Sequence, residues 1–366
     1  MELGQKSEAR VAGTAWMTGQ SAPQVQSIEA AIDTDRLSAW LSENIAGFAG
    51  PLSLKKFDGG QSNPTFLLTT AGGRYVLRRQ PLGPIVRGAH AVDREARVMG
   101  ALASVHFPVP RVHALCTDAA VIGSSFYVMD FVDGRIFWDG GLPGVRHEER
   151  SLYQAAMSAT FAKLHGYDPI VLGLSDYGRS ERYFERQLQR WTSQYRADEA
   201  AGRSADMDAV ANWLEAHVPQ DAATCLVHGD YRIDNLVFHP DEPRIIAVLD
   251  WELSTLGDPI VDFAYNAMMY RVPSAMPWGL SDRDLSALGL PDEKAYIADY
   301  CRLTGRDSIP DLDIYIVFNL FRMAAIIHGI KGRMLRGNAA SATAGTMVAH
   351  LDLLAHIART TADSAG

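Results

Sequence analysis

The stretch 225–265 constrains the fold of this 366-residue chain more than any other. It contains two polar side chains, Asp230 and Asn235, that are five positions apart, and a third, Asp250, directly after the apolar run 245–249. A short apolar run bounded by turn residues predicts a buried strand. A turn with two prolines precedes this strand, so we expect a hairpin that returns Asp250 toward Asn235.

These side chains have the chemistry that transfer of a phosphoryl group requires. Asp230 and Asn235 have the spacing H-x-D-x-x-x-x-N of a kinase catalytic loop, in which the Asp acts as base and the Asn binds magnesium. Mg²⁺ prefers oxygen ligands, which the Asp250 carboxylate and the Asn235 amide oxygen provide. We therefore predict ATP and Mg²⁺ as cofactors, Asp230 as the catalytic residue, and Asn235 and Asp250 as metal ligands. The alternative is an ordinary turn at 228–230 and a strand that ends by chance at Asp250.

The segments HGDYRIDN, LDWE and GDPIVDFAY, in this order, resemble the aminoglycoside phosphotransferase/choline kinase superfamily. The resemblance implies an α+β, protein-kinase-like bilobal fold with a small antiparallel-sheet N-lobe and a larger, mostly helical C-lobe. Further segments, GQSNPTF, YVLRRQPLG and FRMAAIIHGI, resemble the branch whose phosphotransferase domain occurs alone in bacteria or fused ahead of an acyl-CoA dehydrogenase. The resemblance extends over residues 30–358. It implies ATP-dependent phosphorylation of a small-molecule hydroxyl, in this branch that of a hydroxyacyl-CoA or a related acceptor.

Composition narrows the class of protein. The formal net charge of -9 disfavours non-specific nucleic-acid binding. The three cysteines, Cys116, Cys225 and Cys301, are far apart, which favours buried thiols in a reducing compartment. We find neither an apolar run long enough to span a bilayer nor the apolar region of a signal peptide. We therefore expect a cytoplasmic protein without membrane or nucleic-acid partners.

Three parts are predicted along the chain: a flexible arm over 1–26, the N-lobe over 27–132 and the C-lobe over 133–366. The arm is rich in Gly, Ser, Ala and Gln and has no periodicity. A helix that begins at Asp33 places its apolar residues on one face, including Leu37, and is expected to brace the N-lobe.

A glycine-containing loop lies between the first two predicted strands, 52–57 and 65–70. Its glycines let the backbone approach a phosphate without a Cβ clash, and its Ser and Asn side chains can add donors. The residues expected to bind the nucleotide phosphates are Gly59, Gly60, Gln61, Ser62 and Asn63. The segment lacks the full G-x-G-x-x-G pattern, and an ordinary hairpin turn would look similar, but the family resemblance favours a phosphate loop.

Arg78 lies on the third predicted strand, 75–79, where a protein kinase places a lysine that pairs with the phosphates and with a helix Glu. Arginine is permanently charged and binds phosphate well, so the departure is tolerable. Glu95, on the predicted helix 91–104, is the candidate partner, although it could instead be one of several solvated charges there. Arg79 points to the opposite face of the strand.

The strand 125–131 ends in a polar turn and resembles the hinge between kinase lobes. Backbone groups of Asp130, Phe131 and Val132 are then expected to hydrogen-bond adenine, with Met129 as the inner hinge residue. An apolar strand that ends without such a role would look much the same.

The remainder of the chain is predicted to be mostly helical. The pair Asp258-Pro259 predicts a helix start, and Asp262, one turn later, could reach back to the catalytic loop. Arg322 and His328 interrupt a long apolar helix, so each either lines the acceptor cleft or pairs internally. Four arginines at helical spacing are predicted to share one face, either solvated or facing an anionic acceptor: Arg179, Arg182, Arg186 and Arg190.

Three functions remain open at this point: a small-molecule kinase, a non-catalytic nucleotide-binding module, and a kinase of protein side chains. The predicted helix start at Asp258 follows Asp250 so closely that an activation loop has no room, which favours small acceptors. Coenzyme A is polyanionic and suits the arginines of the C-lobe, including Arg333 and Arg336. An antibiotic phosphotransferase is the alternative, but aminoglycosides are polycations that favour an acidic pocket.

Overall fold

The computed structural model describes residues 32–57, 63–82, 90–179, 181–220, 223–337 and 344–365. The predicted arm and the predicted phosphate-binding residues Gly59, Gly60, Gln61 and Ser62 lie outside these ranges. The strands are β1 (Ser53–Lys56), β2 (Thr65–Thr70), β3 (Gly73–Arg79), β4 (Val112–Cys116), β5 (Phe126–Asp130), β6 (Cys225–Val227), β7 (Leu236–Phe238), β8 (Ile245–Val248) and β9 (Thr255–Gly257). The helices are α1 (Thr34–Asn44), α2 (Val92–Ser104), α3 (Ala119–Ile122), α4 (Arg150–His165), α5 (Tyr183–Ala197), α6 (Ala205–Ala216), α7 (Pro259–Ala267), α8 (Leu285–Leu288), α9 (Glu293–Thr304), α10 (Leu312–Leu335), α11 (Ala344–Val348) and α12 (Leu351–Ser364). Short 3-10 turns lie at His147–Glu149, Glu199–Ala201, Ile233–Asn235, Trp251–Leu253 and Met268–Tyr270.

The chain forms two compact units. Of the described residues, the first unit contains those up to 137 together with 234–252, and the second contains those of 138–233 and from 253 onward. The predicted boundary between residues 132 and 133 lies near the first of these breaks. The grouping of 234–252 with the first unit was not predicted, and it arises because Arg135 and Phe238 exchange two backbone hydrogen bonds of 2.8 Å.

The first unit is built on an antiparallel sheet. Among the described residues the sheet has five strands in the order β1-β2-β3-β5-β4. The three strands predicted before residue 80 and the predicted strand 125–131 are therefore present, as β1, β2, β3 and β5. In this register Arg78 on β3 lies opposite Thr65 on β2 and Tyr127 on β5, which places it in the middle of the sheet.

Helix α1 packs on this sheet as predicted. Asp33 is its N-cap, and the Asp33 side chain accepts a hydrogen bond of 3.0 Å from the backbone N–H of Arg36. Leu37 and Leu41 on the apolar face are fully buried and pack with Phe66 and other sheet residues. Each such leucine stabilises the unit by about 1.5–3 kcal/mol through removal from water.

The hairpin predicted from the turn with two prolines is formed by β7 and β8. Leu236 pairs with Val248, and the turn lies between the two strands. The backbone N–H of Val248 also donates to the carbonyl of Pro108 at 2.8 Å, which ties the hairpin to the segment after α2. The hairpin is therefore fixed within the first unit on two sides.

The second unit is mainly helical. The long helix α10 packs against α5, α6, α7 and α12, and α4 packs against α9. Strands β6 and β9 form a two-stranded antiparallel pair. β6 ends directly before His228, where the predicted catalytic loop begins, and β9 ends directly before Asp258, the N-cap of α7. An antiparallel sheet in one unit and helices in the other confirm the predicted α+β class.

Helix α10 corrects one expectation from the sequence. Its length and composition would allow it to span a bilayer. From the sequence we expect no apolar run of that length, and this expectation is wrong for α10. Arg322 and His328 interrupt the apolar sequence of this helix, but two polar residues are too few to make the helix polar on average. In the structure 83% of its most apolar window is buried inside the protein, as in the core helix of a globular unit.

The three cysteines are buried free thiols, as predicted. Burial raises the pKa of the Cys225 thiol well above its usual value, which lowers its reactivity.

Candidate active site

In the second unit, one face of α7 holds the catalytic-loop segment. Asp258 caps the helix by accepting from the backbone N–H of Ile260 at 2.7 Å, and Pro259 follows it, as predicted. Asp262, Tyr265 and Asn266 are three and four positions apart, so they lie on one side of the helix. All three side chains hydrogen-bond to residues 228–231 of the loop.

Asp262 fixes the backbone of the loop. Its two carboxylate oxygens accept hydrogen bonds from the backbone N–H groups of His228 and Gly229, at 2.7 and 2.8 Å. Burial by itself would raise the pKa of Asp262, but its hydrogen bond with His165 and the charges of His165 and His228 outweigh burial and lower it. The buried carboxylate therefore stays charged, and its predicted reach back to the loop is confirmed.

Gly229 permits the sharp turn before Asp230. Its φ of +82° lies in the left-handed region, which favours glycine. A Cβ here would lie 2.8 Å from the carbonyl oxygen of Leu253. The loop can therefore present the next residue, Asp230, only because glycine precedes it.

Asp230 is buried, and two donors approach one of its carboxylate oxygens. The hydroxyl of Tyr265 donates to Oδ1, and Nε of Arg232 lies 3.3 Å from the same atom. Asp230 is 8% exposed. The carboxylate predicted to act as base is thus oriented by its neighbours.

Arg322 of helix α10 reaches the same loop. Its guanidinium donates to the carbonyl of Gly229 at 2.8 Å, and it lies 5.2 Å from the ring centroid of Tyr265. His328, by contrast, pairs internally with the carbonyl of Gly202 at 2.7 Å. Of the two polar residues that interrupt the apolar helix, Arg322 is therefore the one that contacts the catalytic loop.

In the first unit, the hairpin brings the segments of Asn235 and Asp250 together. The carbonyl of Asn235 accepts a hydrogen bond of 2.9 Å from the backbone N–H of Leu249, the residue before Asp250. Asn235 is fully buried, and Asp250 has a φ of +63°, an unusual conformation that Asp tolerates better than most residues. An amide oxygen and a carboxylate are the ligand types that Mg²⁺ prefers, so this pair fits the predicted metal.

Arg78 lies at the centre of a buried group of carboxylates. Its Nε is 2.9 Å from Glu95, and its Nη2 is 2.9 Å from Asp250 and 3.0 Å from Glu252. Burial by itself would lower the pKa of Arg78, but the negative charges of Glu95 and Asp250 outweigh it and raise the pKa well above its usual value. The predicted pairing of Arg78 with Glu95 is confirmed, and the contacts with Asp250 and Glu252 are additional.

Glu95 is the centre of a second set of contacts. It accepts hydrogen bonds from the side-chain amide of Asn63 at 2.8 Å and from the hydroxyl of Tyr127 at 3.0 Å. Burial raises the pKa of Glu95 even though the charge of Arg78 opposes this shift. Asn63 is itself 2% exposed, so its side chain holds Glu95, and its role as a phosphate donor stays a prediction.

The predicted hinge residues lie at the end of β5. Met129 is buried, while the backbone N–H of Asp130 donates to the carbonyl of Arg111 and its side chain bonds His113 at 2.6 Å. Phe131 and Val132 are partly buried and pack on an apolar cluster that is completed by Phe57, Ile136, Val237, Ile246, Ala247 and Leu249. A partly exposed apolar surface beside the hinge suits a flat aromatic base, and contacts to adenine stay a prediction.

The predicted arginine face is wrong for its first two members. Helix α5 begins at Tyr183, after Arg182 with a φ of +51°, so Arg179 and Arg182 precede the helix. Arg182 pairs with Glu185, and Arg186 donates to the carbonyl of Arg179. Helical spacing was therefore a poor guide where the chain turns just before the helix.

Comparisons with known proteins now identify the family. The model of the phosphotransferase enzyme family matches residues 53–291, which include Arg78, Asp230, Asn235 and Asp250. The chain belongs to the phosphotransferase enzyme family. Its fold is that of the kinase-like aminoglycoside phosphotransferases.

One solved structure in this family is similar over nearly the whole chain. It is a Ralstonia eutropha protein assigned to the aminoglycoside phosphotransferases, 45% identical, with a TM-score of 0.82 over 91% of this chain and 98% of that one. A thermostable mutant of the aminoglycoside phosphotransferase APH(4)-Ia, solved in a ternary complex with AMP-PNP and hygromycin B, is 17% identical, with a TM-score of 0.56 over 88% of this chain and 98% of that one. The second likeness shows the shared fold alone.

Among curated proteins, mouse acyl-CoA dehydrogenase family member 10 is 42% identical over 317 residues, or 86% of this chain and 30% of the mouse protein. The phosphotransferase chain described here thus spans less than half the length of the curated relatives it matches.

Two residues that contact Asp230 were missed from sequence: Tyr265 and Arg232. Arg322 was singled out, but its contact with the Asp230 loop was not predicted. For Tyr265 a signal existed, because polar residues at 262, 265 and 266 recur at helical spacing in an otherwise apolar helix. The partners of Arg322 lie 93 positions away along the chain, and no local pattern indicates them.

Proposed function

We propose that this phosphotransferase is an ATP- and Mg²⁺-dependent kinase that phosphorylates a small-molecule hydroxyl, with a hydroxyacyl-CoA or a related metabolite as acceptor. The observation that carries the proposal is the buried Asp230 carboxylate, oriented by Tyr265 and Arg232 on a loop that Asp262 fixes. A general base must be held within hydrogen-bond reach of the proton it takes. Asp230 would orient the acceptor hydroxyl and accept its proton as the oxygen attacks the γ-phosphorus, while the bond from the γ-phosphorus to the bridging oxygen breaks and ADP leaves.

The first unit supports the nucleotide half of the proposal. Asn235 and Asp250 would hold Mg²⁺, which when bound neutralises charge on the phosphates. Arg78, held by Glu95, would contribute a permanent positive charge toward the phosphates. The apolar cluster beside Phe131 and Val132 would cover the base. The distant structural neighbour APH(4)-Ia, which binds AMP-PNP, is consistent with ATP as donor.

Charge near Asp230 favours an anionic acceptor. Arg232 lies in the loop that carries the proposed base and is 3.3 Å from Asp230, and Arg322 contacts the same loop at Gly229 and is 9% exposed. A polycationic aminoglycoside would be repelled by these two guanidinium groups, whereas coenzyme A thioesters carry phosphates. The curated relatives named as acyl-CoA dehydrogenase family members support the same acceptor class. The assignment of the Ralstonia protein supports the competing class, antibiotic phosphotransferases.

The test is ATP consumption with Mg²⁺ across an acceptor panel, with the Asp230→Asn variant as control. The panel holds 3- and 4-hydroxyacyl-CoAs, their free acids, choline, homoserine and two aminoglycosides. We expect turnover of a hydroxyacyl-CoA and a loss of roughly 10²–10⁴-fold in kcat in Asp230→Asn, with ATP binding retained, because the variant lacks a proton acceptor.

Other outcomes would change the conclusion. Turnover of aminoglycosides alone would reject the acceptor class and leave the kinase mechanism. Turnover that Asp230→Asn retains would reject Asp230 as the base. Tight ATP binding without turnover of any acceptor would favour a nucleotide-binding module instead.

A further inference from the structure

Tyr265 is the residue of helix α7 that reaches the proposed base directly. Its hydroxyl donates to Oδ1 of Asp230, and its ring is 6% exposed. Tyr265 lies three positions after Asp262, so the helix face that fixes the backbone of the loop also contacts the carboxylate. The backbone and the side chain of the loop are thus held from one rigid element.

The surroundings of Tyr265 keep its hydroxyl a donor. Burial, and then the charge of Asp230, raise the pKa of Tyr265 well above its usual value. The phenol therefore stays protonated at every pH at which the enzyme would work. The guanidinium of Arg322 lies 5.2 Å from the ring centroid, a distance at which cation–π attraction holds the ring in place.

We propose that Tyr265 is a positioning residue, which sets the orientation of the Asp230 carboxylate toward the acceptor hydroxyl. The inference rests on the proposed function, since it assigns Tyr265 to the same reaction. An ionised carboxylate offers about four lone-pair positions, so it can accept from Tyr265 and still bind an acceptor hydroxyl. A fixed carboxylate keeps the reacting groups aligned, and misalignment lowers the rate of the chemical step more than it lowers binding.

The variant Tyr265→Phe tests this role, because it removes the hydroxyl and keeps the buried ring. The chain offers a matched control in Tyr195→Phe. Tyr195 is also buried, and its hydroxyl also lies within hydrogen-bond distance of a carboxylate, that of Asp208, at 2.9 Å. The same hydroxyl contacts the backbone carbonyl of Ser204 at 3.1 Å and accepts from the backbone N–H of Ser204 at 2.9 Å. Both variants lose one hydroxyl group and its hydrogen bond to a carboxylate, but only Tyr265→Phe loses a bond to the proposed base.

The measurements are kcat and KM for ATP and for the acceptor identified with the wild-type enzyme, together with the melting temperature of each variant. We expect kcat to fall about 10- to 100-fold in Tyr265→Phe, the equivalent of one hydrogen bond to a charged group, with KM for ATP within about twofold. In Tyr195→Phe we expect a loss of melting temperature at least as large, because the hydroxyl also bonds the Ser204 backbone, and a kcat within about twofold of wild type.

A kcat in Tyr265→Phe within about threefold of wild type would overturn the inference, since the lost bond would then not act in the chemical step. An equal loss of kcat in Tyr195→Phe would also overturn it, because loss of a buried bond anywhere in this unit would explain the result. Failure of the proposed function is a different outcome: the wild-type enzyme itself would then turn over no acceptor, and the inference would fail with it.

Discussion

Replacing Arg78 by Met should strongly destabilise the first unit. Arg78 is surrounded by three carboxylates, those of Glu95, Asp250 and Glu252, at 2.9–3.0 Å. The side chains of Glu95 and Asp250 are 2% and 7% exposed, so water cannot replace the lost cation. Met fills a similar volume without charge, which isolates the electrostatic effect.

The size of the effect follows from burial. Removing one partner of a buried ion pair costs about 3–5 kcal/mol, because the other partner remains as an uncompensated buried charge. The adjacent Arg79 provides the control. It is 1% exposed on the opposite face of β3, and within the described part of the chain it hydrogen-bonds Ser124 and Gln80 and no carboxylate. Burial lowers the pKa of Arg79 without an opposing charge, so Arg79→Met should change stability by no more than about 1 kcal/mol.

Urea unfolding followed by circular dichroism, with hydrogen exchange of the β3 and α2 amides, would measure both variants. The pH dependence adds a second criterion. Arg78 lowers the pKa of Glu95, so its removal raises that pKa further above the value in the unfolded chain. The folded variant then holds a proton that the unfolded chain releases. The destabilisation should therefore be smallest at a pH at which Glu95 is protonated in both folded proteins. It should grow as the pH rises through the pKa of Glu95 in the folded wild type, which itself lies above the usual value.

The reasoning would be refuted by a loss below about 1 kcal/mol at pH 7 in Arg78→Met, or by equal losses in the two variants. A loss that does not change between pH 4 and pH 7 would also refute it, because the carboxylates would then not be its cause.

Two further predictions concern the catalytic-loop segment. Asp262→Asn should lower the melting temperature near neutral pH, because one amide oxygen replaces two carboxylate oxygens that accept from His228 and Gly229. Since the pKa of Asp262 is lowered on folding, its contribution is present above about pH 3.9 and lost as the pH falls through the folded-state pKa, so the wild-type and variant melting curves should converge in acid. Gly229→Ala should cost about 1–3 kcal/mol in urea unfolding, because the left-handed backbone and the Leu253 carbonyl oxygen both oppose a Cβ. A Gly229→Ala variant as stable as wild type would show that the loop adopts another conformation.

The sequence predicted the parts of the site that local chemistry determines. Two local patterns were visible in the sequence: the spacing of Asp230 and Asn235, and an apolar strand that ends at Asp250. The structure contains the predicted hairpin, which joins Asn235 to Asp250. The cap at Asp258 was predicted for the same reason, since an N-cap is a contact between residues two positions apart.

Where the prediction depended on extending a period, it was less accurate. The arginine spacing suggested one helical face, but the helix begins only at Tyr183 and excludes Arg179 and Arg182. The spacing of residues shows which of them share a face within a helix, but it does not show at which residue the helix begins. In α10, composition alone could not distinguish a core helix from a membrane span, because both are apolar for about 20 residues.

By itself, then, the sequence determined the short elements of this region, which are the hairpin and the helix caps, and it predicted which residues would act as base and as oxygen ligands. Only the tertiary structure decided what surrounds those residues. The contact between Arg78 and Asp250 joins residues that are 172 positions apart in the sequence. The contact between Tyr265 and Asp230 joins residues that are 35 positions apart. These contacts form because the burial of a charged or polar group costs free energy unless the group is paired. Which partner lies close enough is decided by the packing of distant segments, which local sequence patterns do not indicate.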